Sequence, residues 1–166
     1  MTDFEDLYQR YARDVYRFAL YLSGSHAQAE DIASETFVRV WTGRDTLRAA
    51  SVKAYLFTIA RNLHSDGRRR ESRHVELPEL LIDASPGPDI EAQDRQALAN
   101  VLRALQLLPE VDRAALLMRA QDGLPYEEIA AALQLSVAAV RVKVHRARLR
   151  LSEFRDSRSE RPRSDS

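Results

Sequence analysis

The fold is decided by residues 122–151, which read DGLPYEEIAAALQLSVAAVRVKVHRARLRL. Pro125 stands where a helix can begin without losing a hydrogen bond. Glu127 and Glu128, just after it, suit the positive end of a helix dipole. Ser136 can cap a second helix, in which Val140 and Val144 repeat at helical spacing and predict a buried face. A short helix, a tight turn and a basic helix are the pattern of a helix-turn-helix.

The outer face of the second helix is expected to contact duplex DNA. Its exposed positions are predicted to be Arg141, Lys143, His145, Arg146, Arg148 and Arg150. Arginine can bind both phosphates and guanine edges in the major groove. Small residues at Ala130 and Ala131 would let the two helices approach closely. The competing interpretation is a basic, solvated helix in an ordinary bundle.

Two further helices are predicted just before this motif. The first spans about Ile90 to Leu108, and its apolar side is formed by Leu98, Val101, Leu102, Leu105 and Leu108. The second starts at Pro109 and ends at Gln121-Asp122, with Gly123 as its C-terminal cap. Together with the helix-turn-helix, these helices predict a small domain over residues 97–155.

The N-terminal part of the chain opens with another predicted helix. Apolar side chains recur there every three or four residues, at Phe4, Leu7, Tyr8, Tyr11, Val15, Phe18, Ala19 and Leu22. Gly24 and Ser25 are expected to end this helix, because glycine and serine favour turns and caps.

Two more helices complete this part. One runs from about His26 to Thr42 with Gly43 as its cap, and its inward positions are predicted to be Ile32, Thr36, Phe37, Val40 and Trp41. The other has Ser51 as its N-cap. Its apolar face is predicted at Val52, Tyr55, Leu56, Ile59, Ala60 and Leu63, and it, or a close continuation past Asp66-Gly67, ends in the basic run Arg68–Arg70. Three helices predict one small bundle over residues 1–74.

Residues 75–96 have the composition of a flexible acidic linker. They carry six Asp or Glu against one Arg, together with Pro78, Pro86 and Pro88. The tail over 156–166 is rich in Ser, Arg and Asp and is expected to be disordered. The predicted fold class is therefore all-α, with two small helical domains joined by this linker.

Charge and composition exclude several classes of protein. The formal net charge is zero, but residues 1–74 carry twelve basic against ten acidic side chains and residues 97–151 carry eight against five. Without cysteine the chain has no disulfide or thiolate metal site. We find no pattern typical of a catalytic, cofactor or metal site, and expect none. The acidic N-terminus and the lack of a long apolar run predict a cytoplasmic protein without membrane insertion.

Three stretches carry a resemblance to a known family. They are AEDIASETFVRVW at 29–41, YLFTIARN at 55–62 followed by Asp66 and Arg68–Arg70, and DGLPYEEIA at 122–130 followed by VRVKVHRAR at 140–148. In this order and spacing the chain resembles the extracytoplasmic-function sigma factors, the smallest members of the sigma-70 family. The resemblance covers nearly all of residues 4–155.

The resemblance implies a promoter-specificity subunit rather than an enzyme, with region 2 in the first domain and region 4 in the second. Its implied partners are core RNA polymerase, at the beta-prime clamp and the beta flap, promoter DNA and an anti-sigma factor. The implied polymerase-binding residues are Asp31, Ser34, Glu35 and Phe37. The implied minus-ten residues are Arg61, Asn62, Arg68, Arg69 and Arg70. The implied minus-thirty-five residues are Arg119, Arg141, Val142, Lys143, His145 and Arg146.

The chain departs from the family's usual pattern at three positions. The family usually has Gln at the position of Ser34, often an aromatic at that of Leu47, and often a small polar residue at that of Val142. The main alternative is a stand-alone regulator that uses residues 110–151 to bind an operator as a dimer. A protein-binding helical module is a second alternative. The stand-alone regulator leaves the acidic helix at Asp31 and Glu35 and the second basic cluster unexplained.

Overall fold

The structure is a computed structural model that describes residues 4–43, 51–71 and 92–159, without the side chains of 68–71 and 156–159. Within these ranges the chain forms seven helices and no strand, which confirms the predicted all-α class. They are α1 Phe4–Ser23, α2 His26–Thr42, α3 Val52–Glu71, α4 Ala92–Gln106, α5 Glu110–Ala120, α6 Tyr126–Leu133 and α7 Val137–Ser159. None of the described helices combines the length and apolarity needed to cross a bilayer.

Local caps set the helix boundaries of the N-terminal body, α1–α3. The Ser25 hydroxyl accepts a hydrogen bond from the Gln28 N–H at 3.3 Å, and Gly43 ends α2 in the left-handed conformation with φ of 66°. The Ser51 hydroxyl accepts from the Ala54 N–H at 3.1 Å and begins α3. These three caps satisfy backbone groups that a helix end would otherwise leave unpaired, and Gly43 and Ser51 act as predicted.

The C-terminal body, α4–α7, contains the predicted helix-turn-helix. Gly123 adopts φ of 66° after α5, and its N–H donates to the Arg119 carbonyl at 3.1 Å. The turn between α6 and α7 uses Gln134 in the left-handed region, with φ of 57°. The Ser136 hydroxyl accepts from the Ala139 N–H at 3.1 Å, as expected of the cap of α7.

One buried core runs through both bodies. Phe18 of α1 and Phe57 of α3 stack with ring centroids 4.7 Å apart, and both are fully buried. The same hydrophobic cluster continues into Leu102 of α4 and Met118 of α5. The two bodies therefore pack against each other and bring the end of α1 beside α4 and α5.

Several expectations about individual positions are wrong. Trp41 is 68% exposed, because it lies in the last turn of α2, where Phe4 covers one edge at 4.8 Å between ring centroids. Other predicted inward residues are also exposed, namely Tyr8, Val52 and Val101. Ala131 faces solvent as well, while Ala130 and Ala132 pack inward. A helical period identifies a face, but neighbouring helices decide how wide its buried stripe is.

The ends of the predicted linker and tail also differ from expectation. Residues 92–96 belonged both to the predicted linker and to the helix predicted from about Ile90, and they form the first turn of α4. The last helix, α7, continues to Ser159 rather than ending near Leu151. Leu151 and Phe154 are half-buried beside α4, and this packing supports the extra turns. The remaining predicted linker residues, 75–91, and tail residues, 160–166, lie outside the described part of the chain.

Candidate functional site

The exposed face of α2 carries three of the four implied polymerase-binding residues. Asp31, Ser34 and Glu35 are all exposed, and residues three and four apart share one helix face. Glu35 contacts Arg39 at 3.5 Å. Phe37 is only 4% exposed and packs edge-on against Tyr8, with ring centroids 5.0 Å apart. It therefore supports this surface from below.

A shallow apolar groove between α1 and α2 adjoins this acidic face. Ser34 lines the groove together with the exposed side chains of Tyr8, Val38 and Trp41. Exposed apolar side chains that lie together mark interaction surfaces more often than scattered ones do. This groove was not predicted from the sequence, because Tyr8 and Trp41 were expected in the core.

The implied minus-ten residues lie on α3, next to the C-terminal body. Arg61 makes a bidentate contact with Glu110 of α5, with Nε 3.2 Å from Oε1 and Nη2 2.9 Å from Oε2. Asn62 is half-exposed on the following position. The backbone of Arg68–Arg70 continues α3, and their side chains are outside the described part of the structure.

Glu110 is the centre of this contact between the bodies. Nδ1 of the buried His64 lies 3.4 Å from Glu110 Oε1. Burial alone would raise the pKa of Glu110, but hydrogen bonds and charge from His64 and Arg61 lower it to about 2. Glu110 therefore stays ionised and binds the Arg61 guanidinium over the whole ordinary pH range.

Other polar contacts also join the two bodies. Ser51 donates to Glu128 of α6 at 3.1 Å, and Arg113 Nη1 donates to the Leu22 carbonyl at 2.6 Å. The buried Arg113 also donates to three carbonyls at the end of α4 and in the turn after it, those of Leu105, Gln106 and Leu108. These bonds satisfy carbonyl groups that the ends of α1 and α4 leave free.

Asp122 is a second acid at this contact. Its side chain is 1% exposed, and Lys53 Nζ lies 3.7 Å from its Oδ1. Burial raises the pKa of Asp122 to about 6, because the Lys53 charge lowers it by less than burial raises it and Asp14 adds repulsion. Asp122 is therefore close to its titration point near neutral pH.

Four of the six implied minus-thirty-five residues divide into two groups by the contacts that hold them. Arg119 and Arg141 lie over the ring of Tyr126, with Cζ 4.3 Å and 5.1 Å from the ring centroid. Lys143 and Arg146 instead bind the buried Asp112 of α5. Lys143 Nζ lies 3.4 Å from Asp112 Oδ1, and Arg146 Nε lies 2.9 Å from Asp112 Oδ2.

The other two implied residues of this group have free surfaces. Val142 is 60% exposed and His145 is also exposed. Five of the six implied residues therefore lie on α7, and Arg119 lies in the last turn of α5. Tyr126 and Asp112, which hold four of them, were not singled out from the sequence, because their partners are distant along the chain.

Two family models match the chain. "Sigma-70 region 2" matches residues 7–74, and "Sigma-70, region 4" matches residues 98–151. The two matches follow each other in the same order as the two bodies of the structure.

Curated relatives are similar over most of the chain. An "ECF RNA polymerase sigma factor SigE" of Mycolicibacterium smegmatis is 33% identical over 93% of this chain, which spans 62% of that protein's length. An "ECF RNA polymerase sigma factor EcfG" of Rhodopseudomonas palustris is also 33% identical, over 81% of this chain and 75% of its own length.

A solved structure is similar in fold. The sigma factor RpoE from Bartonella quintana, crystallised with the anti-sigma factor NepR, has a TM-score of 0.74 and 28% sequence identity to this chain. The match covers 94% of this chain and 98% of that one, so it includes both bodies.

Proposed function

The chain belongs to the extracytoplasmic-function sigma factors of the sigma-70 family, and we propose that it directs core RNA polymerase to specific promoters and initiates transcription there. The observation that carries the proposal is that one chain joins an exposed acidic face on α2 to a helix-turn-helix with a basic outer face. A dimeric operator-binding regulator or a protein-binding module would not need both surfaces.

The face of α2 is the proposed docking surface for the beta-prime clamp. Asp31 and Glu35 share one exposed face, where they can pair with basic groups of a partner. Ser34 connects this face to the groove that exposes Trp41. An apolar, partly aromatic patch beside charged residues is the usual anatomy of a specific protein interface. Phe37 has a supporting role, since it is buried beneath the groove.

The end of α3 is proposed to open and read the minus-ten element. Asn62 would read a flipped base, while Arg61 and Arg68–Arg70 would hold the strand's phosphates. In the closed arrangement the Arg61 guanidinium is bound on two nitrogens by Glu110. A phosphate can bind these two nitrogens only after it displaces Glu110. Closure of the two bodies therefore competes with a phosphate contact at Nε and Nη2 of Arg61.

The helix-turn-helix is proposed to read the minus-thirty-five element through α7. Arg141 is exposed and could bind a guanine edge with two nitrogens. Arg146 already uses Nε and Nη2 for Asp112, so its role is a phosphate contact. Val142 could contact a thymine methyl group, and Arg119, Lys143 and His145 extend the same basic surface.

The beta flap is proposed to dock in an apolar groove between α4 and the C-terminal part of α7. Val101, Leu105, Leu151 and Phe154 line this groove, and Val101 is 48% exposed. The groove lies on the C-terminal body, away from the clamp-binding surface on α2, so one polymerase could hold both bodies at once. Simultaneous contacts with two sites raise the overall affinity through a high effective concentration.

An anti-sigma factor is a further proposed partner, because the similar B. quintana protein was solved in complex with one. We assign no catalytic role to the chain, since phosphodiester chemistry in transcription belongs to the polymerase. The proposed action on polymerase and promoter DNA also places the chain in the cytoplasm.

Transcription by reconstituted holoenzyme on a library of randomised promoters tests the function. Core polymerase with the chain should enrich a discrete pair of minus-thirty-five and minus-ten sequences, and core polymerase alone should not. Arg141→Ala should lower the transcript yield mainly from promoters that carry the base it contacts. For a guanine contact the loss should be about ten- to a hundredfold. Arg146→Ala should weaken all sequences alike. DNA binding by the chain without polymerase, and no enriched transcript with it, would contradict the proposal and favour the stand-alone regulator.

A further inference from the structure

Tyr126 lies where α5 meets the two helices of the helix-turn-helix, α6 and α7. It is the first residue of α6, and it is half-buried. Arg119 from the last turn of α5 lies over its ring, with Cζ 4.3 Å from the centroid, and Arg141 from the start of α7 lies 5.1 Å from the same centroid. Both distances fall within the range of a cation–π interaction.

An aromatic ring holds a guanidinium differently from a carboxylate. The ring attracts the planar cation but neither neutralises its charge nor occupies its N–H donors. Arg146 illustrates the other case, because two of its nitrogens are bound to Asp112. Arg119 donates from one nitrogen to the Leu124 carbonyl at 3.1 Å. Within the described residues, no carboxylate forms an ion pair with Arg119 or Arg141.

We propose that Tyr126 is the positioning residue of the minus-thirty-five surface, holding Arg119 and Arg141 in a fixed relation while leaving their charges and donors available to duplex DNA. This inference rests on the proposed function. Free arginine side chains lose much conformational entropy when they bind, so ordering them beforehand lowers the cost of binding. A fixed relation between the two guanidinium groups also restricts which positions of the duplex they can contact together.

The first test measures the geometry and needs no promoter. NMR spectra of the full chain with isotope-labelled arginine should show upfield ring-current shifts for the side-chain protons of Arg119 and Arg141, and not for those of Arg148. Tyr126→Leu removes the ring but keeps apolar bulk, so it should abolish both shifts. Tyr126→Phe keeps the ring and should preserve them. Unshifted arginine signals in the wild-type chain would overturn the proposal, whether or not any variant folds.

The second test measures selectivity in holoenzyme transcription across a library of minus-thirty-five sequences. Tyr126→Leu should reduce discrimination between the best and the mismatched sequences by about two- to fivefold for each arginine released, the fold-change expected from an exposed cation–π contact. Tyr126→Phe should restore the wild-type preference. The same loss with Tyr126→Phe would overturn the proposal, because it would assign the effect to the hydroxyl.

A matched background separates this inference from the proposed function. In the Arg119→Ala and Arg141→Ala double variant, adding Tyr126→Leu should cause no further loss of selectivity. A further loss there would contradict positioning and indicate a direct contact by Tyr126. If Arg141→Ala alters selectivity and Tyr126→Leu does not, Tyr126 has no such role while the proposed function stands. If Arg141→Ala itself has no effect, the recognition surface of the proposed function fails.

Discussion

Glu110 and Asp122 both lie at the contact between the two bodies, yet their pKa values move in opposite directions. Two partners, Arg61 and His64, lower the pKa of Glu110 to about 2 against the effect of burial. Asp122 pairs with one basic group, the Lys53 ammonium group, whose Nζ lies 3.7 Å from Oδ1, and burial raises the pKa of Asp122 to about 6. The number and distance of basic neighbours therefore decide which acid stays charged.

We predict that Asp122 makes the free chain less stable as the pH rises through about 6. The folded chain binds this proton more tightly than the unfolded chain, in which the pKa of the carboxyl group is near its ordinary value of 3.8. Its stabilising effect is therefore complete below that value and is lost above about 6. Asp122→Asn should remove this loss, so that the variant gains stability relative to wild type between pH 5 and pH 8.

Urea denaturation of both chains across this range measures the effect. The difference between the two chains cancels the contribution of Glu110, which has the opposite sign because its pKa is lowered from the ordinary value of 4.5 to about 2. A difference that does not change with pH would disprove the assignment of this titration to Asp122.

The roles of single residues could be predicted only where a local sequence pattern indicated them. Arg141 and Arg146 were predicted from the basic face of α7, but no local pattern indicated that Tyr126 would hold Arg141 and that Asp112 would hold Arg146. Such partners come from separate helices, and no spacing along the chain encodes their meeting. The contacts proposed for all these residues with polymerase or DNA stay predictions.

Among the helices, boundaries were easier to predict than exposure. Gly43, Ser51 and Ser136 act as the predicted caps, because a cap depends on hydrogen bonds within a few residues. Exposure at Trp41 and Val101 was predicted wrongly, since it depends on which neighbouring helix covers each side chain. The length of α7 was underestimated for the same reason.

We predict that the acidic face of α2 contributes directly to polymerase affinity. Asp31→Arg combined with Glu35→Arg should weaken binding to core polymerase by about tenfold or more, because like charges facing each other across an interface are strongly unfavourable. Both side chains are exposed, so the fold should be retained. Affinity can be measured by competition with a labelled wild-type chain.

The control for this experiment is a single reversal on another helix. Asp31→Arg alone is compared with Asp94→Arg, which makes the same charge change at an exposed site in the first turn of α4. An equal loss of polymerase affinity in the two variants would mean that the effect comes from the overall charge of the chain, and it would contradict a specific contact at Asp31.

On the scale of the whole molecule, the closed packing of the two bodies was not predicted. The contacts that join them connect residues far apart in sequence, such as Arg61 with Glu110 and Ser51 with Glu128. The sequence indicated two domains and left their relative placement open. The hydrophobic cluster that continues from one body into the other adds apolar packing to these polar contacts.

We predict that Glu110→Gln shifts the free chain toward separated bodies, because it removes the negative charge that binds Arg61. The chain has no cysteine, so Arg10→Cys and Arg148→Cys allow one spin label on each body. Pulsed electron paramagnetic resonance should then show a larger population at long distances in the Glu110→Gln chain. Glu153→Gln, an exposed glutamate on α7, is the control. Identical distance distributions for the two variants would mean that the Arg61–Glu110 contact does not hold the bodies together.

The exposed indole in the groove between α1 and α2 has a practical consequence. Trp41 is the chain's one tryptophan, and it lies with 68% of its surface in solvent. Indole emits at shorter wavelengths when protein covers it than when water surrounds it. The colour of its fluorescence therefore reports whether the groove on the N-terminal body is occupied. Occupation of the basic surface on the other body should leave that colour unchanged, so one native fluorophore can distinguish a partner in this groove from DNA on the helix-turn-helix.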